Sequence, residues 1–254
     1  MPAIRSFLFA IGFLLPAMTS QAVTINRMEK AEQFMGEIEE KRALEGYLDV
    51  LKEDPEHYEA LWNASQLYTV IGNRQEDETD QKKFYNKAKG LARKALDRYP
   101  DKGHPYFVMA MTKGRMSKLA GIRERIQLAH AMEEYIQHAV RLMPDHAASW
   151  HLYGIWQSEV ANVSRAERIG ARLISRGLPD GTNEKAEEFL EKAMELNSDS
   201  ILIRLDLARH FIRSNQEDRA IPVLEQLLER DLPITWKDDP NHLETAQALL
   251  QDLQ

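Results

Sequence analysis

Four positions spaced +4, +3 and +5 recur five times along this chain, and that recurrence constrains the fold more than any other feature. Ala88, Ala92, Ala95 and Pro100 show it most plainly. Ala43, Tyr47, Val50, Pro55 and Met132, Ile136, Ala139, Pro144 repeat it. So do Ala186, Leu190, Ala193, Ser198, with serine in place of proline, and Ala220, Leu224, Leu227, Leu232. The +4 and +3 steps keep one helix face small or apolar, and a proline five residues further on stops the helix. Each stop leads at a fixed distance to a second set: Leu61, Ala64, Ser65, Tyr68; Tyr106, Met109, Ala110; Trp150, Tyr153, Gly154; and Leu207, Ala208, Phe211. A small residue ten positions after the stop (Ser65, Ala110, Gly154, Ala208) lets two helices approach closely. The chain therefore reads as all-α, a stack of about five helix–turn–helix units rather than one globular core.

The unit resembles the tetratricopeptide repeat, a solenoid element of 34 residues. The stops at 55, 100, 144, 198 and 232 are 45, 44, 54 and 34 residues apart, so the second, third and fourth units carry inserts between their two helices. These are Gly72–Phe84, Lys113–Leu128 and Val160–Asn183. The first of them reads as a loop entering a longer helix. The last reads as an additional helix over Val163–Arg176, broken by Gly177, Pro179 and Gly181. Beyond Pro240, His242–Leu253 reads as a capping helix. At the other end, Ala31 and Phe34 sit at first-helix positions, but only Gly36 marks a turn before Ala43, so Met28–Lys52 also reads as one bent helix.

Residues 1–22 read as a secretory signal peptide: Arg5, the apolar stretch Phe7–Leu15, then Ser20-Gln21-Ala22 at the cleavage position. An uncleaved anchor, the rival reading, needs about 20 continuous apolar residues; Pro16, Thr19, Ser20 and Gln21 interrupt this run. The expectation is one repeat domain over 23–254, exported to a periplasmic or secreted location, with no stable membrane anchor after cleavage. No cysteine is present, which removes disulfides, thiol chemistry and a lipid-modified cysteine behind the leader. A formal charge of −7 argues against nucleic acid as a partner.

A more specific likeness comes from the inserts. Leu119-Ala120-Gly121-Ile122-Arg123-Glu124-Arg125-Ile126, then Pro144-Asp145-His146 through Trp150-His151-Leu152-Tyr153-Gly154 and Glu159-Val160-Ala161, precede Glu167-Arg168-Ile169, Leu178-Pro179 and the helix from Ala186 to Ala193. This succession, over roughly 58–230, resembles the regulator of microtubule dynamics family, of which this would be an exported, bacterial member. The resemblance implies a tetratricopeptide-like domain with the same enlarged units. Animal members are associated with microtubules and organelle membranes, and a lipid-binding role is suggested for them. An exported chain would not meet a microtubule, so the fold carries over and that cellular role does not.

No catalytic motif, cofactor motif or His-Glu-x-x-His metal pair appears. His130 with Glu133 and Glu134 is the nearest approach to a metal set, an arrangement acidic helices produce by chance. The expectation is a non-enzyme with no metal and no cofactor. Attention falls instead on the concave side, lined in a repeat stack by the first helix of each unit. Helical spacing places Trp62, Gln66, Phe107, Met111, His151, Ile155, Leu205 and Arg209 there, a markedly apolar groove suited to a protein or peptide partner. Alternatively the extra helix of the fourth unit folds into the groove and fills it. Arg165, Arg168, Arg172 and Arg176 run along that extra helix, giving residues 165–176 a charge of +3, while residues 113–125 carry +4. Converging, they would receive an anionic group, and the second functional reading is a carrier for an amphipathic, lipid-like ligand with its tail in the groove. The plainer alternative is a solvated helix paired with acidic neighbours.

Overall fold

The computed structural model describes residues 15–254, which are entirely helical apart from their turns. In order, the helices are α1 (Leu15–Gly36), α2 (Glu40–Glu53), α3 (Tyr58–Asn73), α4 (Glu78–Arg98), α5 (Gly103–Lys118) and α6 (Ile122–Leu142). There follow α7 (Ala147–Ala161), α8 (Arg165–Ile174), α9 (Asn183–Leu196), α10 (Ile201–Arg213), α11 (Glu217–Glu229) and α12 (Asp239–Leu253). The leader's charged start and most of its apolar stretch lie outside the described residues. Among the described residues no helix is long and apolar enough to cross a membrane.

The recurring quartets form the second helices of the units: α2, α4, α6, α9 and α11. All fifteen of their helical members are buried, none more than 8% exposed. Each fully buried leucine among them contributes about 1.5–3 kcal/mol. The stops work alike in four copies. The residue after the helix returns its N–H to the third quartet member: Asp54 to Val50 (2.8 Å), Tyr99 to Ala95 (2.8 Å), Met143 to Ala139 (2.9 Å) and Asn197 to Ala193 (3.0 Å). Three residues later the chain closes a tight turn, His57 to Asp54, Lys102 to Tyr99, His146 to Met143 and Ser200 to Asn197. Ser198 gives the same turn as the prolines, so the geometry belongs to the repeat and proline only reinforces it.

Helices pair within units, α1 on α2, α3 on α4, α5 on α6, α7 on α9 and α10 on α11. Gly154 sits in the α7–α9 contact, where an added Cβ would lie 2.6 Å from Leu190 Cγ. The insert of the second unit shortens to a loop before α4, capped by Asp77, whose carboxylate accepts the N–H groups of Thr79 and Asp80. That of the third unit is absorbed by lengthening α5 and α6 around a turn at 119–121. The fourth unit's insert holds α8, and Gly177 at φ +83° turns the chain after it. At the N-terminus the bent-helix alternative gives way to two helices. Glu39 N–H bonds Phe34 O (2.8 Å) and Ile38 N–H bonds Met35 O (3.1 Å), with Ile38 at φ +60°. The α10–α11 turn repeats this with Gln216 on Phe211 and Asn215 on Ile212, Asn215 standing at φ +58°. Asparagine tolerates that left-handed position, whereas a β-branched residue there costs about 1–2 kcal/mol. The break was hard to read because isoleucine marks it.

Candidate binding groove

The identical turns bring the first turns of α3, α5 and α7 side by side, and their rings meet. Tyr58 Oη shares a hydrogen bond with His104 Nδ1 (2.9 Å). One turn along, Trp62 stacks on His104, centroids 4.2 Å apart and planes 13° from parallel. His104 meets the edge of His146 (5.3 Å), which also packs edge-on against Phe107 (5.0 Å). His146 Nδ1 contacts Ser149 Oγ at 2.7 Å. Further along the stack the character changes: Asp206 Oδ2 meets His151 Nε2 (2.9 Å) and Asp206 Oδ1 accepts from Arg209 Nη1 (2.9 Å).

Burial depresses both imidazoles of the ring wall. His146 falls to about 4, through desolvation and then the neighbouring His104, and His104 lies below the ordinary imidazole range. Burial, followed by the charge of Glu59, pushes the Tyr58 hydroxyl up to about 12. The wall is therefore uncharged at neutral pH. Burial works to raise Asp206, but His151 and Arg209 outweigh it and hold the carboxyl below its usual range.

Of the groove residues read from spacing, Trp62, Gln66, Met111, Ile155 and Arg209 remain partly exposed. Phe107, His151 and Leu205 are 4%, 9% and 0% exposed and form the floor beneath them. Trp62 Nε1–H is buried without an acceptor among the described residues. Spacing missed Tyr58, His146 and Asp206. The first two lie at the helix entrance, three residues after Pro55 and two after Pro144, and an eye on entrance positions would have found them.

A second feature joins the two ends of the stack. After α11 the chain runs back to the first unit, where Trp236 packs on the cluster of Met28, Ala31, Tyr47 and Ile71. Arg74, just after α3, donates Nε to both oxygens of Asp238 (2.8 and 2.9 Å) and both Nη groups to Glu40, with Nη2 at 2.9 Å from Oε1. Glu40 is only 4% exposed. Burial alone would lower the Arg74 guanidinium's pKa; the two carboxylates raise it above the ordinary range instead. Asp239 accepts the N–H groups of Thr235 and Trp236, both at 2.8 Å, and braces this strap from within.

The arginine helix lies elsewhere. α8 packs beside α6, a second helix, and not among the groove residues. Arg168 donates to Val160 O at the end of α7. Arg165, Arg172 and Arg176 are exposed and form no ion pair among the described residues. The two basic inserts do adjoin, since Arg125 lies near enough to Glu167 to lower its pKa. His130 directs Nε2 at Gly177 O (3.0 Å), and among the described residues no group of three or more acidic or imidazole side chains is arranged for a metal.

The model of the regulator of microtubule dynamics proteins 1–3 matches residues 27–254, from α1 to the last helix. The chain belongs to the regulator of microtubule dynamics family. It is 28% identical over 196 residues to regulator of microtubule dynamics protein 3 of Xenopus laevis, covering 77% of this chain and 42% of that protein. With protein 1 of Mus musculus it shares 26% over 207 residues, 77% of this chain and 68% of the relative. It thus spans less than half of the frog relative and about two thirds of the mouse one. Among solved structures it is similar to a thermophilic TPR protein of Thermus thermophilus, with TM-score 0.67, 20% identity, 90% of this chain and 99% of the other covered. That likeness places this member of the family in the tetratricopeptide-type solenoid fold, as the quartet spacing implied.

Proposed function

We propose that this chain is a non-catalytic scaffold that holds a protein or peptide segment in its concave groove. The observation that carries the reading is the aromatic–imidazole wall of Tyr58, Trp62, His104, His146 and Phe107, uncharged at neutral pH and flanked by Gln66, Met111 and Ile155. Such a wall suits apolar side chains of an extended or helical segment, while Asp206 and Arg209 offer polar contacts at its far end. The histidines fit a non-catalytic reading: His104 is stacked on Trp62, and His146 meets His104 and Phe107 edge-on. His210, 2.9 Å from Ser158 Oγ, is closed off with it at 1% exposure each. The position of α8 beside α6 favours a peptide over one amphipathic molecule reaching from the groove to the arginines. We further propose that residues 1–22 are removed on export and that the domain works in a periplasmic or extracellular setting.

Peptides selected from a random library against the full chain are the probe. Trp62→Ala and Met111→Glu, with helicity unchanged by circular dichroism, are expected to weaken the selected peptides by about tenfold or more, the equivalent of about 1.5–3 kcal/mol of lost apolar burial. Unchanged affinity in both variants would refute the groove reading. A lipid found by intact-mass spectrometry on protein purified without detergent, and lost in Trp62→Ala, would replace it with the carrier reading.

A further inference from the structure

Helix α8 is built the wrong way round for an ordinary surface helix. Such a helix turns its apolar stripe to the core and its charges to water. Here the one buried residue is Ala171, whereas Leu173 is 83% exposed and Ile169 52%. At about 100° per residue, the side opposite Ala171 carries Ile169, Leu173 and Ala166, with Arg165 and Arg172 directly alongside, while exposed Arg176 follows just after the helix ends at Ile174. Ile174 (38%) and, at the start of adjoining α6, Ile122 (52%) add to the exposure. Three of the eight large hydrophobic side chains exposed among the described residues thus belong to α8, and a fourth opens the helix it packs beside.

The helix is also preformed. Ser164 Oγ accepts from Glu167 N–H (3.2 Å), Glu167 Oε2 accepts from Ser164 N–H (3.2 Å), and Arg168 ties the helix to Val160 O. Little ordering remains to be done on binding. Arg165, Arg172, Arg176 and Arg123 form no ion pair among the described residues, although the chain as a whole carries −7.

We propose that α8 docks this protein peripherally on an anionic membrane surface. Protruding apolar tips with guanidinium groups at the same level need no complementary groove. A bilayer interface receives both, Leu173 and Ile169 at the acyl boundary and the arginines at lipid phosphates. A protein partner would have to supply a matching acidic, apolar cleft. The surface is separate from the groove and stands whether or not the groove binds a peptide.

The absence of cysteine permits a site-specific test. Ala166→Cys, carrying an environment-sensitive fluorophore, is mixed as the full chain with vesicles of phosphatidylcholine alone or with one third phosphatidylglycerol. The expected result is a blue shift and brightening on the anionic vesicles only, weakened by salt. Adding Arg165→Gln, Arg172→Gln and Arg176→Gln should lower vesicle affinity by about 100-fold, each arginine being worth about 1 kcal/mol near such a surface. Adding Leu173→Ser with Ile169→Ser should lower it by at least about tenfold, with the melting temperature unchanged because both side chains are exposed. A fluorophore at Glu195→Cys on α9 should stay in water throughout. No response at 166, an equal response to neutral vesicles, or a response untouched by the arginine changes would overturn the proposal. So would a response to an acidic amphipathic peptide but to no vesicle, which would give the face to a protein.

Discussion

Arg74→Ala should cost this protein about 3–5 kcal/mol, far more than a typical surface arginine. The magnitude follows from what the guanidinium leaves behind. Glu40 has a side chain only 3% exposed, and without Arg74 its one remaining hydrogen bond among the described residues is from Lys237 N–H at 3.4 Å. A buried carboxylate with so weak a partner carries most of the penalty; Asp238, at 29% side-chain exposure, adds a smaller share because water can reach it. The pair need not be net stabilising in itself. The double variant Glu40→Gln, Arg74→Met removes both charges and should recover most of the loss. Urea denaturation gives the free energies. Hydrogen exchange of Thr235 and Trp236, whose amides bond Asp239, reports whether the strap has left the first unit. A loss below about 1 kcal/mol in Arg74→Ala, with strap amides as protected as in the parent, would refute the reasoning that this arginine joins the two ends.

Other expectations follow from the same geometry. Gly154→Leu places its side chain against Leu190 and should overpack α7 on α9 by about 1–3 kcal/mol, with Ala110→Leu behaving alike; thermal melts indistinguishable from the parent would mean the helices meet elsewhere. His146, lowered in the fold from 6.5 to about 4, binds its proton more readily in the unfolded chain, so stability is full above about 6.5 and declines as pH falls toward 4. About 2–3 kcal/mol should disappear over that window. His146→Gln should flatten that decline in urea midpoints taken across it, and an unflattened profile would exclude His146 as its source. N-terminal sequencing of exported protein should begin at Val23; retention of Met1 in a membrane fraction would replace the cleaved leader with an anchor.

Much of the fold was legible because the repeat writes its packing as periodic apolar residues. Ala88, Ala92 and Ala95 could be assigned to a helix contact from spacing alone, and Ser198 could be placed as a stop without being proline. The α1–α2 break was not legible, because a left-handed Ile38 gives no residue-type signal of the kind Asn215 gives. The strap was less legible still. Its partners, Arg74 with Asp238 and Glu40 with the Lys237 amide, are 164 and 197 residues apart, and polar pairing over such separations leaves no local pattern. In the groove, spacing found Trp62, Met111 and Ile155, but the ring wall also depends on Tyr58 and His146, entrance residues that a helical-face count passes over. The arginines of α8 were visible as a run. That the apolar residues beside them face water was not, since helical spacing says which residues share a side without saying which side the protein covers.

Hydrogen-exchange footprinting of a selected peptide on the full chain tests the central claim most directly. The first amides of a helix lack intrahelical acceptors and exchange readily in the free protein, so a ligand lying across helix entrances leaves a readable mark. The account predicts new protection at the first turns of α3, α5 and α7, over residues 58–62, 103–107 and 147–151, with α4, α6 and α9 unchanged. Protection confined to those second helices or to α8, with the three first turns exchanging as before, would contradict it.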